Sequence, residues 1–483
     1  MHRSKSALSA ALSLFLLLAG PLRAEGPAPP DTPQGRRMAA LIAAFESGTP
    51  DAIRAFITAN FAASSQKQVP LDQRVQRLTG MAKEVGPIAF HQTRPAKAPE
   101  VKFLARSKVS GEWIEIGMML EPEPEFGILG MNFEQSQGPG ALAAEPRKGS
   151  DAEAAAAADG YLSSGGDEGF SGVVLIAKNG KPFLHKAYGM ANRDFGVKNR
   201  PDTRFNLGSI NKVFTQVSIG QLAAQGKLSL SDTIRKHLPD YPSPAADKIT
   251  VQQLVTMTSG LGDFFGERYD ATPKTKLRTL SDFLALFVNE PLLFEPGTSR
   301  GYSNAGYIVL GLIIERASGE TYYDYVRKHI FLPAGMKDTD AYPQDSVVAN
   351  RAVGYTREGE GGQTQPGPKR INVYTLPARS SSAGGGYSTA PDLLAFDAAM
   401  RADKLLSPVW TDWYFSGKEK APVAGAPARK HSGAGGFAGG SPGVNAVIET
   451  DLDTGYSIVV LSNDDPPSAE TVAKKIRQWL GLS

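Results

Sequence analysis

A serine and a lysine lie three residues apart in Phe205-Asn206-Leu207-Gly208-Ser209-Ile210-Asn211-Lys212, just where a long helical pattern begins. Residues at i and i+3 share a helix face, so the Ser209 hydroxyl and the Lys212 amine can meet within hydrogen-bonding reach. That pairing sets a nucleophile beside a base. A serine hydroxyl is a poor nucleophile at its free pKa, and a lysine becomes a usable base where desolvation or nearby cations lower its own. A helix N-terminus at Ser209 adds partial positive charge and free N–H groups, which suit an oxyanion. A second group, Gly301-Tyr302-Ser303-Asn304, precedes an apolar helical pattern over 307–317. There Tyr302 can project into a cleft, and a neighbouring cation would favour its phenolate and make it a base. Asn304 could hold a substrate carbonyl, fix Lys212 or merely cap the helix. A third group, Lys430-His431-Ser432-Gly433-Ala434, precedes a glycine-rich stretch and a strand pattern beginning at Val444. Small residues let a substrate backbone approach, their N–H groups can complete an oxyanion hole, and His431 adds a polar or cationic group. Each group alone also fits a bland reading: a solvated helix face, a packed turn tyrosine, a surface histidine.

These residues need a scaffold, and the chain of 483 residues is too long for one ordinary core. After a proline-rich leader over 25–35, a helix is expected over 37–46. A second follows with Thr49 as N-cap, Pro50 at the first position and Asp51 in the first turn, and a third covers 71–85. Strand patterns then run over 88–92, 101–107, 113–120 and 126–133, so residues 36–134 read as a small α+β domain. Residues 135–150 turn to Gly, Pro and Ala, as a linker does. An alanine-rich helix begins near Asp151, and strand patterns over 170–177 and 182–189 join through Lys178-Asn179-Gly180-Lys181, a tight hairpin turn. The chain is mostly helical from Ser209 to about 335. Strands return over 444–450 and 456–462, and a helix over 469–480 follows. Strands at both ends with a helical middle predict one sheet assembled from distant segments over 151–483, with a helical subdomain inserted between them.

Composition removes several chemistries. A net charge of +3 with 21% charged residues gives no reason to expect nucleic acid. The absence of cysteine excludes thiol nucleophiles and thiolate metal sites, and the six histidines show neither H-x-H nor H-E-x-x-H spacing. No metal and no other cofactor is expected. Arg3 and Lys5, an apolar stretch over 7–20 and then Pro21-Leu22-Arg23-Ala24 read as an export signal cut after Ala24, which predicts a periplasmic or secreted protein with no membrane span after cleavage. Nothing in the sequence speaks to oligomeric state.

The ordered set Ser209-x-x-Lys212, Tyr302-x-Asn304 and His431-Ser432-Gly433 resembles the three motifs of the penicillin-recognising serine hydrolases. The similarity is to the branch of class C β-lactamases, D-alanyl-D-alanine carboxypeptidases and related esterases. Thr258-Ser259-Gly260-Leu261, Phe294-x-Pro296-Gly297, Pro333-x-Gly335-Met336 and Gly384-Gly385-Gly386-Tyr387-Ser388-Thr389 look like further signposts of that branch. The resemblance covers about 150–483. It implies a β-lactamase/transpeptidase-like fold and a two-step acyl transfer: Ser209 attacks, Lys212 and Tyr302 move the proton, and the N–H groups of Ser209 and Ala434 hold the oxyanion. Asn304, His431, Ser432, Gly433 and Ala434 would bind substrate, a small ester or amide, D-amino-acid peptides among them. β-Lactamases of the branch carry Lys-Thr-Gly at the third motif, so His431-Ser432-Gly433 places penicillin turnover behind ester or D-peptide hydrolysis. Many relatives also have a compact His-Gly-Gly-Gly-x-Pro-Gly, which here is spread from Ala434 to Pro442-Gly443. The alternatives are a penicillin-binding-type or ligand-binding protein with little turnover, or a β-lactamase.

Overall fold

A computed structural model describes residues 27–68, 71–109, 111, 113–122, 125–136, 149–164, 169–358, 367–418, 422 and 431–482. The export signal over 1–24 and most of the linker lie outside the described residues. The chain divides into two compact units, Met1–Gly140 and Ala141–Ser483.

The first unit contains α1 (Pro33–Ser47), α2 (Pro50–Asn60), α3 (Ala63–Gln68) and α4 (Leu71–Val85). Thr49 caps α2 by accepting from the Ala52 N–H, and Pro50 occupies the first turn, where its missing N–H costs nothing. The strands β1 (Ile88–Arg94), β2 (Glu100–Ser107), β3 (Trp113–Leu120) and β4 (Ile128–Ser136) form an antiparallel meander in sequence order. Their inward residues, Ile88, Phe103, Ile116, Met118 and Ile128 among them, share one core with Leu41, Phe45, Ile53 and Ile57 of the helices. Alternation on the strands and 3.6-residue spacing on the helices supply one apolar face each, and the two faces bury one another. The short α3 carries no apolar periodicity, so no pattern announces it.

The second unit opens with α5 (Asp151–Ser163), started by a reciprocal capping box between Ser150 and Glu153. Next come β5 (Gly172–Lys178) and β6 (Lys181–Tyr188), joined by Asn179 and Gly180 at φ of 50° and 74°. A two-residue turn with both central φ positive matches the strand twist, which is why Asn-Gly stands there. After a 3-10 turn at Gly208–Asn211 comes α6 (Lys212–Ala224), and later α7 (Asn304–Ser318) and α8 (Ala390–Arg401). The chain closes with β7 (Ala434–Ser441), β8 (Val444–Asp451), β9 (Tyr456–Ser462) and α9 (Ser468–Leu480). The sheet order is β7-β8-β9-β5-β6, antiparallel throughout. Alternate residues of its strands face opposite ways. Val174, Ile176, Ile458 and Val460 pack on α5 and α9, while Val173, Leu175, Val459 and Leu461 join the larger core built around α6 and α7. This is the fold class expected from strands at both ends of a helical middle. No helix among the described residues is long and apolar enough to cross a membrane.

Candidate active site

Ser209 lies in the 3-10 turn and Lys212 is the first residue of α6. The helix is buried almost all round, which takes Lys212 out of solvent to 2% exposure. A glycine-rich loop wraps its N-terminal end. Asn211 donates to the Ser381 carbonyl at 2.6 Å, Thr215 to that of Ser382 at 2.7 Å, and Lys212 to that of Ala383. The Gly385 N–H donates to the Gly208 carbonyl at 3.0 Å.

Tyr302 and Asn304 enter from the start of α7. Ser303 is its N-cap: the hydroxyl accepts from the Gly306 N–H at 2.8 Å and donates to the Gly262 carbonyl at 2.9 Å. Asn304 is therefore free of capping duty. The segment 257–262 is laced to the same region, its carbonyls at Met257, Thr258 and Gly260 accepting from the N–H groups of Gly301, Gly297 and Leu293. Gly260 has φ of 79°, and a Cβ there would fall 2.1 Å from the Phe294 carbonyl oxygen. Only glycine fits that close crossing.

The four side chains meet. Ser209 Oγ is 2.6 Å from Tyr302 Oη and 3.2 Å from Lys212 Nζ, and Lys212 donates to Asn304 Oδ1 at 2.6 Å. The ammonium also lies 4.8 Å from the Tyr302 ring centre and 5.5 Å from that of Tyr307. Burial drives the Lys212 pKa down to about 7, against an upward pull from the Asp263 carboxylate. Tyr302 moves the other way. Burial raises its pKa, the bond to Ser209 opposes that, and Asp263 adds to it. The expectation of an easily formed phenolate is thus reversed, because burial penalises the charged phenolate more than the bond to Ser209 favours it. Asp263 accepts from Asn304 Nδ2 at 2.7 Å. Sequence reading missed it, although it follows Thr258-Ser259-Gly260-Leu261 by two residues.

The third group does not come to the serine. His431 is held by two carboxylates instead, Asp412 at 2.5 Å from Nδ1 and Asp403 at 2.8 Å from Nε2. Burial pulls its pKa down, but the bonds to Asp412 and Asp403 outweigh that and leave it above the ordinary histidine value. The part of β7 against the catalytic turn is Gly439 and Gly440. A Cβ on Gly439 would fall 2.0 Å from the Leu207 carbonyl oxygen and 2.7 Å from the Ser209 nitrogen, and one on Gly208 would fall 2.9 Å from the Gly440 nitrogen. Ala434 lies five residues back along the strand, about 16 Å away. Hence His431, Ser432, Gly433 and Ala434 are corrected as substrate-binding residues, and Gly440 takes the place expected of Ala434. The register is fixed by the tight turn at Pro442-Gly443 between β7 and β8, with Ser441 opposite Val444 and Gly440 opposite Asn445. Counting back from that turn sets Phe437-Ala438-Gly439-Gly440 beside the serine, a signal present in the sequence but overridden by the presence of a histidine.

Ser209 opens onto a cleft of about 1300 Å3. One wall is aromatic: Phe264, Phe265 and Tyr269 stack on one another with centroids 4.5 to 5.9 Å apart, and Phe283 meets Phe264 at 5.1 Å. Tyr374, Leu376 and Pro377 also line it. Among the described residues lining the cleft the one cation is Lys274, whose amine donates to the carbonyls of Tyr269 and Thr272. Among the described residues no group of carboxylates and histidines could hold a metal ion.

Comparison with known proteins agrees with this geometry over the second unit. The beta-lactamase family matches residues 154–482. PbpX of Bacillus subtilis, named for penicillin binding, is 33% identical over 241 residues, 50% of this chain and 57% of its own, so the chain spans little more than half the length of that relative. The crystal structure of a penicillin binding protein from Bacillus halodurans is 30% identical with a TM-score of 0.55, covering 64% of this chain and 96% of that one. The D-amino acid amidase of Ochrobactrum anthropi SV3 shares the fold at 23% identity, with a TM-score of 0.57 over 68% of this chain and 98% of its own.

Proposed function

The chain belongs to the beta-lactamase family of serine hydrolases, and from that premise we propose that it cleaves small esters or amides, D-amino-acid derivatives among them, through an acyl-Ser209 intermediate. The observation that carries the reading is the Ser209 hydroxyl held 3.2 Å from a buried amine of pKa about 7 and 2.6 Å from a phenol that keeps its proton. Near neutral pH half or more of Lys212 is an uncharged amine, and its lone pair takes the Ser209 proton as Oγ attacks the carbonyl carbon. The carbonyl oxygen gathers negative charge between the N–H groups of Ser209 and Gly440. As the tetrahedral species collapses, Tyr302 gives its proton to the leaving atom and is reprotonated from Lys212. Water then repeats the sequence in reverse roles: its proton passes to the Lys212–Tyr302 pair, its oxygen attacks the acyl carbon, and Ser209 leaves with a proton.

The cleft suits a substrate that has no free carboxylate and carries an apolar or aromatic substituent. The strand beside the serine offers Ala438 and two glycines where β-lactamases of the branch carry a lysine, and the amine of Lys274 is occupied by two carbonyls. Phe265 and Tyr374 stay 53% and 44% exposed, apolar surface that a substrate ring would cover. The test is a screen of the purified protein against p-nitrophenyl esters, D-aminoacyl amides and a chromogenic cephalosporin, with a fluorophosphonate as active-site label. Ester or amide turnover with labelling lost in Ser209→Ala supports the proposal. Stoichiometric labelling without turnover would make it a penicillin-binding-type acceptor, and turnover of the cephalosporin alone a β-lactamase. We also propose export, on the basic and apolar pattern ahead of Ala24. N-terminal sequencing of protein from a periplasmic fraction should start at Glu25, and an intact Met1 there would refute it.

A further inference from the structure

Asp263 lies in the turn that follows Gly260-Leu261-Gly262, exposed at the surface. Its two carboxylate oxygens are both engaged, Oδ2 by Asn304 Nδ2 at 2.7 Å and Oδ1 by the Phe265 N–H at 3.1 Å. The turn that carries it is fixed to the head of α7 through the Gly262 carbonyl, which accepts from the Ser303 hydroxyl at 2.9 Å and the Ala305 N–H at 3.4 Å. The carboxylate therefore stands at a set distance from the Asn304 amide.

The two ends of a carboxamide have nearly the same size and opposite hydrogen-bonding sense. Lys212 Nζ has three neighbours besides its own carbon: Ser209 Oγ, Asn304 Oδ1 and the Ala383 carbonyl. An uncharged amine has two N–H bonds and one lone pair. If Asn304 presents oxygen, the two N–H bonds go to the two fixed acceptors and the lone pair is left for Ser209. With the amide turned round, its NH2 would donate to that lone pair, and the base would be spent on asparagine. We propose that Asp263 is the positioning residue of this site: by accepting from Asn304 Nδ2 it holds the amide with oxygen toward Lys212 and so aims the lone pair of the base at the nucleophile. The proposal rests on the reading of Lys212 as base given above.

Electrostatics gives this role a signature that packing alone would not. Lys212 packs against Tyr302 and Tyr307, and Arg300 acts on Tyr307. The charge acting on Lys212 itself, among the described residues, is the Asp263 carboxylate, which opposes the larger effect of burial. Removing that charge lets the Lys212 pKa fall, so the neutral base persists to lower pH.

The experiment uses the full-length protein and three variants, Asp263→Asn, Asp263→Ala and Ser209→Ala. It measures the rate of fluorophosphonate labelling, kcat/KM against pH for p-nitrophenyl butyrate, and thermal stability. Asp263→Asn keeps an oxygen for Asn304 and loses the charge. It should retain the plateau rate within about threefold while the acid limb moves to lower pH. Asp263→Ala frees the amide, and both labelling and kcat/KM should drop by roughly 10–100-fold, taking as a guide the loss seen when a partner that orients a metal ligand is removed, with Tm nearly unchanged. Wild-type plateau rates in Asp263→Ala, or equal losses in both variants that follow a fall in Tm, would overturn the proposal. A Ser209→Ala protein that still labels and hydrolyses would instead overturn the reading of the site on which it rests.

Discussion

Lys212→Met should change how stability depends on pH, and by an amount that follows from burial of the amine. In the unfolded chain a lysine titrates at its ordinary 10.5, whereas in the fold burial brings Lys212 to about 7. Between these values the unfolded state binds the proton and the folded state does not, so wild-type stability rises with pH across that window. The sign is opposite to that of a lysine gaining a salt bridge. The cost of the buried amine is complete below about pH 7 and disappears toward pH 10.5. From pH 7 to pH 9 wild type should gain about 2 kcal/mol relative to Lys212→Met. Loss of the bonds to Asn304 and Ala383 shifts the variant by a constant and does not enter the difference, and every other titrating group is common to both proteins. The assay is urea unfolding of both at pH 7, 8 and 9. Parallel stability curves would mean that Lys212 keeps an ordinary pKa in the fold, and the neutral-base mechanism would fall with it.

Ser209→Ala should abolish ester hydrolysis and leave unfolding free energy within about 1 kcal/mol, because a small polar side chain lost at a cleft opens no large cavity; residual turnover above a few per cent would place the nucleophile elsewhere. Gly439→Ala puts a methyl group 2.0 Å from the Leu207 carbonyl oxygen, and the strand must shift away, costing about 1–3 kcal/mol and most of the activity; wild-type kinetics in that variant would show that β7 does not form the oxyanion site. His431→Gln should leave hydrolysis of neutral esters unchanged, since His431 lies away from the cleft. Its folded pKa is raised, so its stabilisation is whole below the unfolded value of about 6.5 and is lost as pH rises through the folded one. Thermal melts should therefore show a larger loss of Tm at pH 5.5 than at pH 8, and equal losses at both would refute the Asp403–His431–Asp412 account.

Where local rules decide structure, the sequence was a sufficient guide. Asn179-Gly180 demands the β5–β6 turn, Thr49-Pro50-Asp51 demands a helix start, and the continuous apolar run Ile458-Val459-Val460-Leu461 demands a strand buried on both faces. The pairing of Ser209 with Lys212 needed only helical geometry, and the structure sets Tyr302 and Asn304 beside them. What sequence alone did not disclose depends on contacts between distant segments. β7 has the composition Ala-Gly-Gly-Phe-Ala-Gly-Gly-Ser, which local propensity reads as loop. It is a strand because β8 offers a partner, and it is poor in side chains because the catalytic turn presses on Gly439. The histidine drew attention for its chemistry, yet its surroundings, two aspartates from other elements, could not be read from its neighbours in sequence. Asp263 was passed over for the same reason, since an aspartate in a glycine-bearing turn signals only a turn until Asn304 is set against it. The direction of the tyrosine pKa was missed because burial, a property of the whole fold, sets it.

The order of the sheet also has a consequence in time. Gly440 follows Ser209 by about 230 residues, and at roughly 5–20 residues per second a ribosome needs on the order of 10–50 s to make that stretch. Once Tyr302 has been added, the nascent chain holds its serine, lysine and tyrosine. It lacks β7, and also β8 and β9, the two strands through which β7 is hydrogen-bonded to β5. A chain halted between Tyr302 and about residue 433 thus carries the nucleophile without the β7 half of the oxyanion site, and should hydrolyse no ester.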